Sequence, residues 1–288
     1  MPHNIKFLTI FGCVRNCEIN LEYNYKKIKD SLKNITINWL LIESDSSDNT
    51  LKILDKLKKK DKNFNYKSLG KLNSKIKNRI KRLTICREKY LKELKRNPDK
   101  FNNFIMIVDL DEKMDLFSHK GFVSCFKTKH KWSVCSATQK DFYYDIFAFR
   151  HKEISPMDPF SKLSLLNKKN KNYIKNLETT IYSKMIDISK INYWFEVESA
   201  FGGTSIYQKK DLLKLTYFSK DNKKFKFCEH VFLNKKISTK KKKIFINPFF
   251  KNYSRTVHFD TWKYRYFRFW FYNNICKTLL SKFNFLLK

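Results

Sequence analysis

Two carboxylates one residue apart, Asp109 and Asp111, stand near the end of the string FIMIVDLDE. The apolar run Phe104–Val108 before them has strand length, and alternate residues at a strand end project to the same side. Two hard oxygen donors so placed can hold one divalent cation whose open positions take diphosphate oxygens. Such a cation would neutralise the charge that builds on a departing nucleoside diphosphate. A lone D-x-D is common, and this one gains weight from a second acidic string. Glu43, Ser44, Asp45 and Asp48 follow another apolar run, Ile35–Ile42. A carboxylate there can accept from a ribose hydroxyl or a base N–H, and the same residues would equally make a helix-capping turn. Between the two strings lies a basic stretch with Arg79, Arg82 and Arg87. A planar guanidinium suits phosphate, so these side chains could grip a diphosphate or simply form a solvated basic face.

The surrounding pattern supplies elements to position these groups. Ile5–Cys13 reads as a first strand, Glu18–Leu32 as an exposed lysine-rich helix, and Ile35–Ile42 as a second strand. Ser47 or Asp48 caps a helix with Leu51, Leu54 and Leu57 on one face. A short strand over Phe64–Lys67, a basic helix over Ser74–Leu94 and the strand Phe104–Val108 complete a β-α-β-α-β succession. That order predicts a parallel sheet with helices on its faces, and ligands of such sheets bind at the carboxyl ends of the strands. Beyond Asp111, short aromatic strands are expected near Trp132–Thr138 and Phe142–Phe149, and the tract Asn167–Asn176 reads as a loop or a solvated helix end. No repeat and no Pro/Gly-rich linker divides the chain.

The 288 residues are 42% hydrophobic, enough for a real core. The formal net charge of +34 comes mostly from lysine. It accompanies heavy use of Asn, Ile, Phe and Tyr, which looks like genome-wide bias, so charge is weak evidence for a polyanionic partner. Arg15, Arg79, Arg82, Arg87 and Arg150 carry more information than any lysine. The seven cysteines include no CxxC pair, so neither a disulfide framework nor a zinc ribbon is indicated, and a reducing cytosol fits. The N-terminal apolar stretch reads as a strand instead of a signal peptide, and no window approaches the roughly 20 apolar residues of a membrane span.

The order FGCVRN, IESDSSDNT, RLTICREKYL, FIMIVDLDE, YYDIFAFR, FGGTSIY and CEHV resembles a GT-A glycosyltransferase group related to the capsule-type α-mannosyltransferases, over Ile5 to Asn234. The resemblance implies an α/β, Rossmann-like, mostly parallel central sheet with flanking helices. One domain would span residues 1–255, with a nucleotide-binding half to about residue 115 and an acceptor half after it, and residues 256–288 would form a basic aromatic extension. It implies a divalent cation, Mn²⁺ or Mg²⁺, on Asp109 and Asp111, with His230 or His258 as a further ligand. The nucleotide-sugar contacts expected are Arg15, Glu43, Asp45, Arg82, Arg87 and Asp109. By the same analogy Asp145 and Arg150 line the sugar or acceptor pocket, and Gly202 and Gly203 form the acceptor-side loop unless they are an ordinary turn. Glu229 would be the general base of an inverting enzyme, or orient substrate in a retaining one. Glycines usual in the first nucleotide-binding turn are replaced here by Ser and Asp.

The implied partners are a nucleoside-diphosphate sugar and a glycan or lipid-linked acceptor, in surface polysaccharide or lipopolysaccharide synthesis, at a cytoplasmic site. The closing stretch Trp262–Lys288 mixes aromatic and basic residues. It reads either as docking on an anionic membrane at the inner face or as a helix packed on the sheet's flank. A basic nucleic-acid-binding protein is the rival from another class, but carboxylates at two strand ends repel phosphate unless a metal intervenes, so no nucleic acid is expected. A metal-dependent nucleotidyltransferase would share the donor chemistry. Dinucleotide dehydrogenases and P-loop enzymes are excluded by the lack of G-x-G-x-x-G and G-K-[ST].

Overall fold

The computed structural model describes residues 5–187, 191–220, 226–240, 242–254 and 256. In chain order the main elements are β1 (Phe7–Val14), α1 (Leu21–Ser31), β2 (Thr36–Glu43), α2 (Thr50–Lys60), β3 (Phe64–Ser68), α3 (Arg79–Arg96), β4 (Phe104–Asp109) and α4 (His119–Ser124). There follow β5 (Val134–Thr138), α5 (Pro159–Lys169), α6 (Tyr173–Thr180), β6 (Phe195–Val197), β7 (Thr204–Gln208), α7 (Lys209–Leu212), α8 (Glu229–Ser238) and β8 (Ile244–Lys251). The strands form one sheet in the order β3-β2-β1-β4-β7-β5-β8-β6. Through β3, β2, β1 and β4 every pairing is parallel, as the β-α-β-α-β pattern predicts. Past β4 the sheet is mixed, because β7 runs antiparallel between β4 and β5 and β6 antiparallel to β8, while β5 and β8 are parallel.

Helices cover both faces, which is why the central strands read as continuous apolar runs instead of alternating ones. Along β1, Leu8, Ile10 and Val14 join a core with Leu21, Tyr25 and Ile28 of α1, Leu54 and Leu57 of α2 and Phe122 of α4. Phe11 enters the opposite core with Tyr90, Leu91 and Leu94 of α3 and Leu233 and Ile237 of α8. Strand β4 divides likewise, Met106 and Val108 to one side, Ile105 and Ile107 to the other.

Several local expectations are corrected. Helix α2 buries Thr50, Leu54 and Leu57 and leaves Leu51 exposed, since the buried stripe follows a seven-residue repeat that Leu51 misses. Its start is held by Asp48, whose Oδ1 accepts from the Thr50 N–H at 3.0 Å. Helix α3 begins at Arg79, later than the basic pattern suggests, because Asn78 is extended and its side chain caps Lys81 N–H at 2.9 Å. The tract 167–176 is the close of α5 and the opening of α6, with Asn170–Asn172 between. Phe142–Phe149 is no strand. Asp145 accepts from Ala148 N–H through Oδ1 and from Phe149 N–H through its carbonyl, winding the segment into turns whose Tyr143, Ile146 and Phe149 are buried. No described helix is long and apolar enough to cross a membrane, and the segment Trp262–Lys288 lies outside the described residues.

Candidate functional site

Asp109 is the last residue of β4, and its backbone is held from two sides. Its N–H donates to the Gly203 carbonyl at 2.8 Å, and its carbonyl accepts from Tyr253 Oη at 2.9 Å. Gly203 can sit there because it has φ 77°, and a Cβ on it would lie 2.5 Å from that same Tyr253 oxygen. Gly202 and Gly203 therefore brace the end of β4 from behind; neither lines the cavity in front of it. Burial, and then the fields of Asp109, Asp111 and Glu112, push the Tyr253 phenol up, so it stays a donor.

Past Asp109 the chain is tied to α1. Asn24, fully buried, donates through Nδ2 to the carbonyls of Leu110 at 3.1 Å and Glu112 at 2.8 Å, and its Oδ1 accepts from Met114 N–H at 2.8 Å. Just before that helix, Asn20 donates to the Asp111 carbonyl at 2.5 Å. Asparagines four apart at the head of a lysine-rich helix are a faint sequence signal, and nothing in the sequence connects them to a loop some 90 residues away. With those ties Asp109 and Asp111 line one cavity of about 650 Å³ at the carboxyl ends of β1, β2 and β4. This volume is in the range of small-molecule sites.

The arginines divide into two kinds. Arg87 is buried at 3% exposure; its Nε lies 2.8 Å from Glu229 Oε1 and its Nη2 3.0 Å from Asp109 Oδ1. Burial works against its charge, but Asp109, with Glu229 beside it, more than offsets that and holds the guanidinium protonated. Its Nη1 is buried without a hydrogen-bond partner. Arg82 ion-pairs through Nε with Asp45 Oδ2 at 3.1 Å, and its Nη1 donates to the carbonyls of Ile76 and Lys77. Arg15 and Arg79 also line the cavity, both exposed, and neither guanidinium makes an ion pair or hydrogen bond among the described residues.

The other expected site residues divide between the cavity and the interior. Asp45 lines the cavity in a left-handed conformation, φ 65°, and its Oδ1 accepts from Asn73 N–H at 2.7 Å. Glu43 does not reach the cavity: at 1% exposure it turns inside, accepting from Ser46 N–H at 3.0 Å and from the Ser68 hydroxyl of β3. Arg150 does not reach it either, because Asp158 Oδ2 stands 2.6 Å from its Nη2 and its Nη1 donates to the Phe149 carbonyl at 2.6 Å. Arg150 ties the turns of 142–149 to the head of α5. Glu229, first residue of α8, lines the cavity at 3% exposure.

His230 stacks on Phe201 at a centroid distance of 3.8 Å. Burial, and then the charge of Arg87, hold it well below the usual histidine range, so it stays a neutral ring. His230 lines the same cavity as Asp109 and Asp111, and no group of three or more His, Cys, Asp or Glu that could hold a metal is found among the described residues. His258 lies outside them.

Asp145 lines the cavity and accepts from Gly202 N–H at 3.0 Å through Oδ2. Burial outweighs the backbone bonds from Gly202 and Ala148 and pushes its carboxyl up to about 6. The unfolded chain releases that proton near pH ~3.9, so the folded protein binds it more tightly. Stability from this group is therefore complete below about pH 4 and is lost as the pH rises through about 6. The gap corresponds to at most about 3 kcal/mol. Urea midpoints of wild type and Asp145→Asn are expected to diverge with a transition near pH 6; a difference that stays flat from about pH 4 to 8 would rule the assignment out.

The far wall of the cavity is aromatic, with Tyr144, Phe147 and Phe160, and Phe147 and Phe160 meet edge to face at 5.4 Å. Phe160 comes from α5, a contribution that its sequence neighbours do not announce.

No family model and no curated protein matches the chain. Solved structures are similar at low identity. The mannosyltransferase PcManGT from Pyrobaculum calidifontis, in complex with GDP-Man and Mn²⁺, is 9% identical with a TM-score of 0.49, over 92% of this chain and 61% of its own. S. aureus TarS 1–349 in complex with UDP-GlcNAc is 14% identical with a TM-score of 0.41, over 86% of this chain and 59% of its own. M. tuberculosis glucosyl-3-phosphoglycerate synthase with Mn²⁺, UDP and phosphoglyceric acid is 10% identical with a TM-score of 0.34, over 72% and 57%. The chain thus spans about three fifths of the length of these proteins. Likenesses so distant transfer no activity to this chain.

Proposed function

We propose that the chain is a GT-A-type glycosyltransferase that moves a sugar from a nucleoside-diphosphate donor to a hydroxyl of a glycan or lipid-linked acceptor, using a divalent cation. The observation that carries this reading is the meeting of Asp109, Asp111, Arg15 and Arg79 in one cavity at the strand ends. Two carboxylates there, with no third protein ligand among the described residues, suit a hard cation that completes its shell with phosphate oxygens and water. When bound, that cation offsets the charge developing on the departing diphosphate.

The chain's own groups have separable tasks in this proposal. Asp109 and Asp111 hold the cation. Arg87 keeps the Asp109 carboxylate turned to a fixed position while holding Glu229 in place. Among the described residues of the cavity, Arg15 and Arg79 are the arginines without a protein partner and can close on the diphosphate, whereas Arg82 acts through Asp45, on the nucleoside side. Glu229 takes the acceptor proton if the reaction inverts, or orients the acceptor if it retains. Asp145 and the wall of Tyr144, Phe147 and Phe160 face the transferred sugar or the acceptor. Work on surface polysaccharide or lipopolysaccharide at the cytoplasmic face belongs to the same proposal; it is supported by the capsule-type resemblance and by the free thiols of Cys13, Cys17, Cys86, Cys125, Cys135 and Cys228.

A screen of nucleotide sugars for thermal shift and hydrolysis, with Mn²⁺ or Mg²⁺ present and with chelator, tests the proposal. One donor is expected to raise the melting temperature in a metal-dependent way. With that donor, Arg15→Gln and Arg79→Gln are each expected to raise KM about tenfold with kcat little changed, as loss of a charge-assisted contact predicts. A shift from RNA or DNA and none from any nucleotide sugar would overturn the reading.

A further inference from the structure

Helix α5 buries a single residue, Pro159. Leu165 within it is 53% exposed, Met157 just ahead of it 59%, and Tyr173 at the head of α6 51%. The two helices are tied together by Asn176, whose Nδ2 donates to Asn167 Oδ1 at 2.9 Å and Asn170 Oδ1 at 3.0 Å. Around the exposed apolar side chains stand Lys162, Lys168, Lys169, Lys171 and Lys175, all exposed, none with a side-chain ion pair or hydrogen bond among the described residues. Between Pro159 and Thr180 the one acidic residue is Glu178.

Lysine alone would mean little in a chain with 61 Lys and Arg. Helix α2 makes the contrast. It is just as rich in lysine, but it buries Thr50, Leu54 and Leu57, and Lys56 pairs with Glu22 at 2.9 Å. The α5–α6 hairpin differs in degree: three large apolar side chains, each more than half exposed, stand among its unpaired cations, where α2 leaves only Leu51 at 37%. A nucleic acid would meet the lysines but leave Leu165 and Met157 in water. The headgroup boundary of an anionic bilayer satisfies both: apolar tips enter the acyl edge, tyrosine suits the interface, and lysine heads reach lipid phosphates.

We propose that the α5–α6 hairpin docks this protein on an anionic lipid surface through Met157, Leu165 and Tyr173 and the five lysines around them. This docking requires no assumption about the reaction, so it can fail while the transferase reading stands, and the reverse. Because Phe160 of the same helix is part of the cavity wall, docking there sets that wall beside the bilayer, where an acceptor carried on a lipid would be presented.

The test is sedimentation of the full chain with vesicles of phosphatidylcholine doped with phosphatidylglycerol, against pure phosphatidylcholine. Wild type is expected to bind the anionic vesicles, less so as salt is raised. Replacing Lys162, Lys168, Lys169 and Lys175 together by Gln is expected to weaken binding by well over tenfold, at roughly fivefold per lysine. Leu165→Asp should weaken it about tenfold with the charge of the lysines intact. Replacing Lys52, Lys59 and Lys60 of α2 by Gln should leave binding nearly unchanged. Wild-type binding by the hairpin variants, an equal loss from the α2 variant, or no preference for anionic vesicles would each overturn the proposal. So would a hairpin variant that loses an oligonucleotide and keeps its vesicles.

Discussion

Asp111→Asn is expected to lower sugar transfer by about 10²–10³-fold while the protein stays folded. Asp111 is exposed, where a near-isosteric change usually moves stability by no more than about 0.5 kcal/mol, and the contact from Asn20 to its backbone carbonyl is kept. A melting temperature within about 2 °C of wild type is therefore expected. The change removes a negative charge from the place where the proposed cation would be held, so on that proposal kcat should fall and the Mn²⁺ concentration for half activity should rise. Asp109→Asn makes a weaker experiment, because it also breaks the pair with Arg87 and mixes positioning with metal loss. Initial rates for wild type and Asp111→Asn across a Mn²⁺ titration decide the matter. Wild-type kcat at saturating Mn²⁺, with no change in metal requirement, would remove Asp111 from the metal site.

The largest stability effect is expected at Arg87. Arg87→Ala leaves Glu229, 3% exposed, without its ion-pair partner, and such a loss costs about 3–5 kcal/mol. Arg87→Lys should recover part of that: the charge survives, but one ammonium cannot span both carboxylates as the fork does. Combining Arg87→Met with Glu229→Gln should cost markedly less than the two single changes added together, because the pair then disappears as a unit. Urea unfolding of the four proteins gives the coupling directly. A loss below about 1 kcal/mol for Arg87→Ala, or strict additivity in the double variant, would show that Arg87 and Glu229 do not act together. Activity should fall with stability restored by ligand or osmolyte, since Asp109 loses the contact that orients it.

Much of the frame is legible in the chain itself. The runs that become β1, β2 and β4 are apolar because both their faces are covered, and the acids that end β2 and β4 are placed by strand length alone. That is local information, carried by periodicity within a window of about ten residues. The antiparallel placement of β7, and the winding of 142–149 into turns around Asp145, were not to be read this way. An aromatic run is compatible with strand or with a packed loop until its neighbours are known.

The sequence by itself determined the strand–helix succession and the placement of Asp109 and Asp111 at the close of an apolar strand. Tertiary structure alone decided which guanidinium is free and which is committed. Arg87 meets Glu229 across 142 positions, Tyr253 meets the Asp109 carbonyl across 144, and Asn24 meets the loop beyond Asp109 from about 90 away. Residue type says that an arginine wants a carboxylate or a phosphate; only the folded contacts say which it has already found.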